Sequence, residues 1–107
     1  MAHNANWVYM TAASKEEAAM IGGRLVEEKL AACINIFENI TSVFMWEGKL
    51  EQDTEVAFIA KTTADKVPEL VDMVKSLHSY EVPCVISLPV SNGNPDFIEW
   101  IAESVGR

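Results

Sequence analysis

The sequence predicts an α+β domain: a ferredoxin-like βαββαβ sandwich with a long hairpin between its second and third strands and a C-terminal helix. Two observations predict it. Segments rich in β-formers and segments of helical period follow one another in the order strand, helix, strand, strand, helix, strand, helix. The second and third strand segments are joined by Glu47-Gly48-Lys49, where Gly48 can supply the positive φ that a tight hairpin needs. Right-handed crossovers through the two long helices then place both on one face of a four-stranded antiparallel sheet, in spatial order 4-1-3-2. A chain of 107 residues makes a single domain over residues 1–107 and buries roughly two-thirds of its unfolded surface without staples.

Each element has a local reason. Trp7-Val8-Tyr9-Met10-Thr11-Ala12 is a run of β-formers. Ser14-Lys15-Glu16-Glu17 is a capping box, in which Ser14 accepts from an orphan amide and Glu17 reaches back. The helix it starts runs to about Leu30, with Ala18, Ile21, Leu25 and Val26 inward. Gly22-Gly23 inside that helix costs about 1 kcal/mol per glycine against alanine, which marks either close packing of its backbone on the sheet or a simple local weakness. Cys33-Ile34-Asn35-Ile36-Phe37 begins the second strand, Glu38-Asn39 breaks it, and Ile40 to Trp46 continues it. Leu50 to Thr62 returns, with Val56-Ala57-Phe58-Ile59-Ala60 at its centre. The second helix begins near Thr63 or Asp65 with Pro68 in its first turn. Val67, Leu70, Val71, Val74, Leu77 and His78 form its apolar stripe. Ser79 to Pro83 is a connector, Val85 to Val90 a short strand and Asn92-Gly93-Asn94-Pro95 a turn. A last helix spans about Pro95 to Glu103.

Trp7–Met10 and Val56–Ala60 are apolar at consecutive positions, so both faces of the sheet carry apolar side chains. A sheet with one wet face alternates instead. The short last helix, with Phe97, Ile98, Trp100 and Ile101, is too small to cover the second face. Self-association is the simplest remedy.

The formal net charge is -8, and the lysines and arginines form no run. Nucleic acid and anionic membrane surfaces are therefore excluded as partners. Residues 1–6 have no basic region followed by an apolar stretch, and no window approaches a membrane span. The two cysteines, Cys33 and Cys84, are far apart in sequence and are expected as thiols in a reducing cytoplasm.

Cys33, His78 and Cys84, with the thioethers of Met10 and Met73, are a donor set that suits copper(I) or zinc. Their spacing matches no zinc motif, and each has a structural reading as well: packed thiols, a hydrogen-bonded histidine, gap-filling methionines. Trp46 beside Glu47 and Lys49 either lines a pocket or packs a hairpin tip on a neighbour. Tyr80 and Glu81 sit in a connector, where functional residues concentrate, or Tyr80 simply bonds a backbone group. With one useful histidine no catalytic triad can be assembled, and no phosphate-cradling glycine loop exists. A hydrolase would want an arginine in an anion cradle, and Arg24 and Arg107 are the only arginines. The chain is expected not to be an enzyme. His3, with the amine of Met1 and the intervening amides, can chelate copper(II) without a folded site.

Glu28-Lys29-Leu30-Ala31-Ala32-Cys33, Trp46-Glu47-Gly48-Lys49, His78-x-Tyr80-Glu81-Val82-Pro83, Leu88-Pro89-Val90 and the asparagine-proline turn before Phe97 resemble the signatures of the CutA divalent-cation tolerance proteins. The resemblance runs from Val8 to Ile101. It implies a ferredoxin-like homotrimer, similar to the trimeric nitrogen-regulatory signal proteins, and a cytoplasmic role in tolerance of copper and other divalent cations. By this resemblance Cys33 and His78 match the positions usually discussed for metal contact in the family. Some members carry cysteines where this chain has Met10 and Met73; the family usually has proline-glycine at Glu38-Asn39 and proline at Ser79, and an acidic residue is common at Cys84.

Two functions follow as expectations. One is a trimeric metal-binding or metal-responsive module that requires no cofactor, with copper or another divalent cation as its ligand. The alternative is a trimeric signalling or scaffold protein that takes a small ligand or protein partner in its intersubunit clefts. Cys33 and Cys84 are expected at the same end of the sheet on opposite edges, so that Cys33 of one chain meets Cys84 and His78 of the next.

Overall fold

The structure, a computed structural model, describes residues 3–106; the proposed Met1 amine chelate and Arg107 lie outside them. Its elements are β1 (Ala5–Ala12), α1 (Lys15–Glu27), β2 (Cys33–Trp46), β3 (Lys49–Thr63), a 3-10 turn (Ala64–Lys66), α2 (Val67–Leu77), β4 (Val85–Pro89) and α3 (Pro95–Ser104). The strands form one antiparallel sheet in the order β2-β3-β1-β4, which is the expected arrangement.

The capping box forms as expected at one end: the Ser14 hydroxyl accepts from the Glu17 amide at 3.1 Å. Glu17 reaches one residue further back than a standard box, accepting from the Ala13 amide at 3.2 Å. The helix ends three residues earlier than Leu30. Lys29 takes a left-handed φ of 58°, Leu30 N–H bonds the Leu25 carbonyl and Lys29 N–H bonds the Val26 carbonyl. This is a Schellman ending, with lysine where glycine is usual and the buried Leu30 over Leu25 as its apolar contact. Gly22 is the glycine that packing demands, since a Cβ there would lie 3.0 Å from two carbons of Ile34. Gly23 faces open space.

Alternation sorts the sheet into two faces. Val8, Met10 and Ala12 of β1 and Val56, Phe58 and Ala60 of β3 point at α1 and α2 and are buried with Ile21, Leu25, Leu70 and Val74. The other face carries Trp7, Tyr9, Phe37, Ile59, Ile86 and Leu88 by register. The last helix covers only one end of it, where Ile101 and Val105 pack with Ala32. Trp7, Phe37, Ile86 and Leu88 stay exposed, as the consecutive apolar positions predicted.

β2 and β3 outrun the sheet. β1 stops at the Ala12–Val56 pair, whereas β2 and β3 stay paired out to Trp46 and Lys49. The turn residues Glu47 and Gly48 both have positive φ, 49° and 80°, the signature of a type I′ hairpin. The result is a two-stranded arm on a molecule 47 Å long and 25 Å wide.

Candidate functional site

The break at Glu38-Asn39 shapes the site. It is a β-bulge, with a register shift between Phe37 and Ile40 and Asn39 at φ 61°. One extra residue inverts the alternation of β2. Before the bulge odd positions face away from the helices; after it Ile40, Ser42, Phe44 and Trp46 do. Phe44 and Trp46 therefore share a face with Glu51, Asp53 and Glu55 of β3. Where this face meets the connector after α2 it bounds a groove of about 770 Å³. Tyr80, Glu81, Val82 and Cys84 form the opposite wall, with Thr11 between.

The groove thus gathers Trp46, Tyr80, Glu81 and Cys84, four of the six residues expected to matter. It adds Glu47 from the hairpin-tip motif and Glu51, Asp53 and Glu55, which carry no recognisable motif, and among the described residues no lysine or arginine lines it. Strand alternation holds the signal: acidic residues at every second position of a segment that also carries apolar ones.

His78 lies behind the wall. It caps the C-terminus of α2, and its side chain is fully buried. Nδ1 accepts from the Tyr80 amide at 3.0 Å, so Nε2 carries the proton and donates to the Thr11 carbonyl at 2.7 Å. Both nitrogens are committed, which leaves no lone pair for a metal in this arrangement. The imidazole instead fixes Tyr80, whose ring centroid is 4.7 Å from its own. The Tyr80 hydroxyl donates to Glu55 at 2.8 Å, not to backbone. Burial, then the Glu55 bond and charge, push that phenol far above its usual range, so it remains a donor. Glu17 braces the connector from α1. It accepts from the Ser79 amide at 2.7 Å and the Ser79 hydroxyl at 3.0 Å, and lies 3.7 Å from His78 Nδ1. Burial opposes its charge, but the Ser79 and Ala13 donors outweigh it and hold its carboxyl below the usual value.

The thiols do not share an end of the sheet. Because the central strands β1 and β3 are themselves antiparallel, β2 and β4 also run in opposite directions. Cys33 is level with Lys61, Trp7 and Leu88, whereas Cys84 precedes Val85, which pairs with Met10. They are offset by roughly 13 Å along the strands and about 14 Å across three strand spacings. An intrachain disulfide is excluded more firmly than the expected placement implied, and both cysteines are free. Burial and the nearby Glu55 charge raise the Cys84 thiol, against a smaller opposing hydrogen bond with Thr11. Among the described residues no three His, Cys, Asp or Glu side chains are placed to hold one metal ion. No helix among them is long and apolar enough to cross a membrane.

Comparison with known proteins places this geometry in a family. The family model for the CutA1 divalent ion tolerance protein matches residues 6–104. The divalent-cation tolerance protein CutA of Archaeoglobus fulgidus is 51% identical over 100 residues, covering 94% of this chain and 97% of that one. Its counterpart in Thermus thermophilus is 41% identical over 92% of this chain and 96% of its own. The crystal structure of CutA1 from Ehrlichia chaffeensis superimposes over 100% of both chains with a TM-score of 0.92 at 37% identity. A structure named as the periplasmic divalent cation tolerance protein CutA from A. fulgidus does so over 94% of this chain and 98% of that one, with a TM-score of 0.91 at 50% identity. With a family model matching nearly the whole chain and the fold shared end to end, this chain belongs to the CutA1 divalent ion tolerance protein family.

Proposed function

We propose that the chain acts in divalent-cation tolerance as a homotrimeric, non-enzymatic binding module whose contact with cations is the groove. One observation carries this reading: five carboxylates, those of Glu47, Glu51, Asp53, Glu55 and Glu81, line one groove, and among the described residues no basic side chain joins them. Such a field concentrates cations of any kind. Tight coordination of a soft ion such as copper is not available within one chain, because His78 is committed and Cys33 is remote. A coordinated ion would need donors from a second copy, and Cys84 is the thiol that lines the groove. The unpaired thiols favour a cytoplasmic setting.

Calorimetric titration of a His3→Ala chain with copper(I), copper(II) and zinc(II) tests it. Saturable binding that weakens in Glu51→Gln/Asp53→Asn is expected. Binding that is unchanged in that variant would remove the groove from the mechanism.

The alternative, a trimeric scaffold or signalling module with a small ligand or protein partner in its clefts, draws on a different observation. Trp7, Phe37, Ile86 and Leu88 leave one sheet face apolar and uncovered, the kind of surface that assembly buries. Both readings need the trimer, and light scattering should give three times the 11.8 kDa chain mass.

A further inference from the structure

The turn Asn92-Gly93-Asn94-Pro95 joins β4 to α3 away from the groove, and its first pair carries chemistry of its own. We propose that Asn92 is a self-modification site, where the Gly93 backbone nitrogen closes a succinimide on the Asn92 side chain and water opens it to aspartate or isoaspartate. Both residues are exposed and lie outside any strand or helix. The Gly93 amide donates to Asn92 Oδ1 at 2.9 Å. A carbonyl bond is about 1.2 Å long, so Cγ lies no more than about 4 Å from that nitrogen. Asparagine χ2 is a broad torsion, and rotation about it turns the face of Cγ to the nitrogen. Glycine puts no Cβ in the way of the ring. The segment is held in this shape from both sides. The Val90 amide donates to the Ala5 carbonyl at 3.0 Å, and Asn94 caps α3 by accepting from the Asp96 amide at 3.0 Å. Reacting atoms held close together need less ordering to reach the transition state.

The chemistry balances with water as its one co-reactant. The Gly93 nitrogen bonds to Cγ and gives up its proton, the Cγ–Nδ2 bond breaks, and the side-chain nitrogen leaves as ammonia. One water molecule then adds to one of the two ring carbonyls. Opening at Cγ gives aspartate; opening at the main-chain carbonyl gives isoaspartate, with one more methylene in the backbone. Either product sets a carboxylate beside a cleft of about 320 Å³ between the start of α3 and the N-terminal segment. The other asparagines are placed against the reaction. Pro95 after Asn94 has no N–H to give up. The Ala5 amide after Asn4 already donates to His3 Nδ1 at 3.1 Å. Asn6, Asn35 and Asn39 lie inside β1 and β2 and precede the bulky Trp7, Ile36 and Ile40.

Ageing the full chain in its native assembly in warm, mildly alkaline buffer tests this, because the attacking nitrogen must lose its proton. An acidic species is expected to accumulate on anion exchange and to accept methyl groups from an isoaspartate methyltransferase. The tryptic peptide over residues 76–107 carries both Asn92 and Asn94, and fragmentation in a mass spectrometer should place the mass gain at Asn92. Gly93→Ala should keep its circular dichroism, since the added Cβ would lie 3.4 Å from Ile98 Cδ1, an ordinary contact. It should slow the gain about tenfold, the effect of about 1.4 kcal/mol on the barrier. Asn92→Gln should show no gain at this position, because its longer side chain cannot close the same ring. An unchanged rate in Gly93→Ala would mean that this nitrogen is not the attacker and would overturn the proposal. A gain at another asparagine in place of Asn92 overturns it too. So does a folded chain that stays unmodified while the same chain unfolded in urea reacts.

Discussion

The body of the sheet and its hairpin arm are built from similar residues and differ in what covers them. In the body, Val8, Met10 and Phe58 have no solvent exposure because α1 and α2 lie over them. In the arm, Val43 is 60%, Met45 63%, Trp46 61% and Leu50 71% exposed, since β1 ends where the arm begins. Val43, Met45 and Leu50 lie on one arm face, and Phe44 and Trp46 on the other. A two-stranded ribbon is marginal in water by itself. An arm of apolar residues on both faces therefore belongs against something, and the body does not supply it. The comparison separates residues that hold the fold from residues whose burial waits on assembly or ligand.

The sharpest way to break the body is Phe58→Ala. Phe58 is fully buried at the centre of the core, and such truncations cost about 3–5 kcal/mol. Urea unfolding of this variant should show a midpoint shift large enough to leave a partly unfolded population. The arm should respond differently. Trp46→Asp removes no packed core residue, so the fold of each chain should survive by circular dichroism. If the arm forms part of the proposed trimer contact, a charge there should lower both the trimer fraction by light scattering and the melting temperature, since folding would then be coupled to association. An unchanged trimer with an unchanged melting temperature would show that Trp46 is not an interface residue.

The body is legible in the sequence because local signals agree there. Ser14 with Glu17, Pro68 in the first turn of α2 and the apolar periods of β1 and β3 all point to one arrangement, and strand order follows from handedness. The groove is half legible. Trp46, Tyr80, Glu81 and Cys84 can be singled out, but Glu51, Asp53 and Glu55 read as ordinary surface charge. They join the aromatics only because the bulge at Glu38-Asn39 inverts the alternation of β2, and a break in a strand does not announce which way it turns. His78 is legible as a residue with a role and not as to which role. Its partners, the Thr11 carbonyl and the Tyr80 amide, are backbone groups, which leave no mark in sequence. The expected placement of the thiols fails because it takes the central pair as running one way, when strand pairing makes every neighbour antiparallel.

A smaller effect sharpens the picture of the body. Gly22 and Gly23 are adjacent on α1 and look equivalent in sequence. Gly22→Ala must displace Ile34, against which a Cβ would sit at 3.0 Å. Overpacking of this kind typically costs about 1–3 kcal/mol. Gly23→Ala meets nothing and should stabilise by up to about 1 kcal/mol, through helix propensity. Denaturant midpoints that move in opposite directions are the expected result; a shift of the same sign in both would mean that helix backbone and sheet are not in close contact.

The smallest expected effect lies where body and groove are joined. Glu17 on α1 accepts from Ser79, beside His78 and Tyr80, so it ties the first helix to the connector that forms one groove wall. Its carboxyl is held below the ordinary 4.5: burial works against the charge, and the Ser79 and Ala13 donors overcome it. A carboxylate depressed in the folded state contributes stability that is full above its unfolded value. That contribution is lost as pH falls through the folded value. Glu17→Gln should therefore be less stable than the parent chain at pH 7, and the gap should close in acid, below the ordinary carboxylate range, as the parent carboxylate protonates. Urea midpoints of both proteins at neutral and at acid pH measure it. A gap that persists unchanged in acid would assign the contribution of Glu17 to shape and neutral hydrogen bonding. The loss at pH 7 should come without any change in the mass measured by light scattering, since Glu17 braces the connector through Ser79 and does not lie on the hairpin arm.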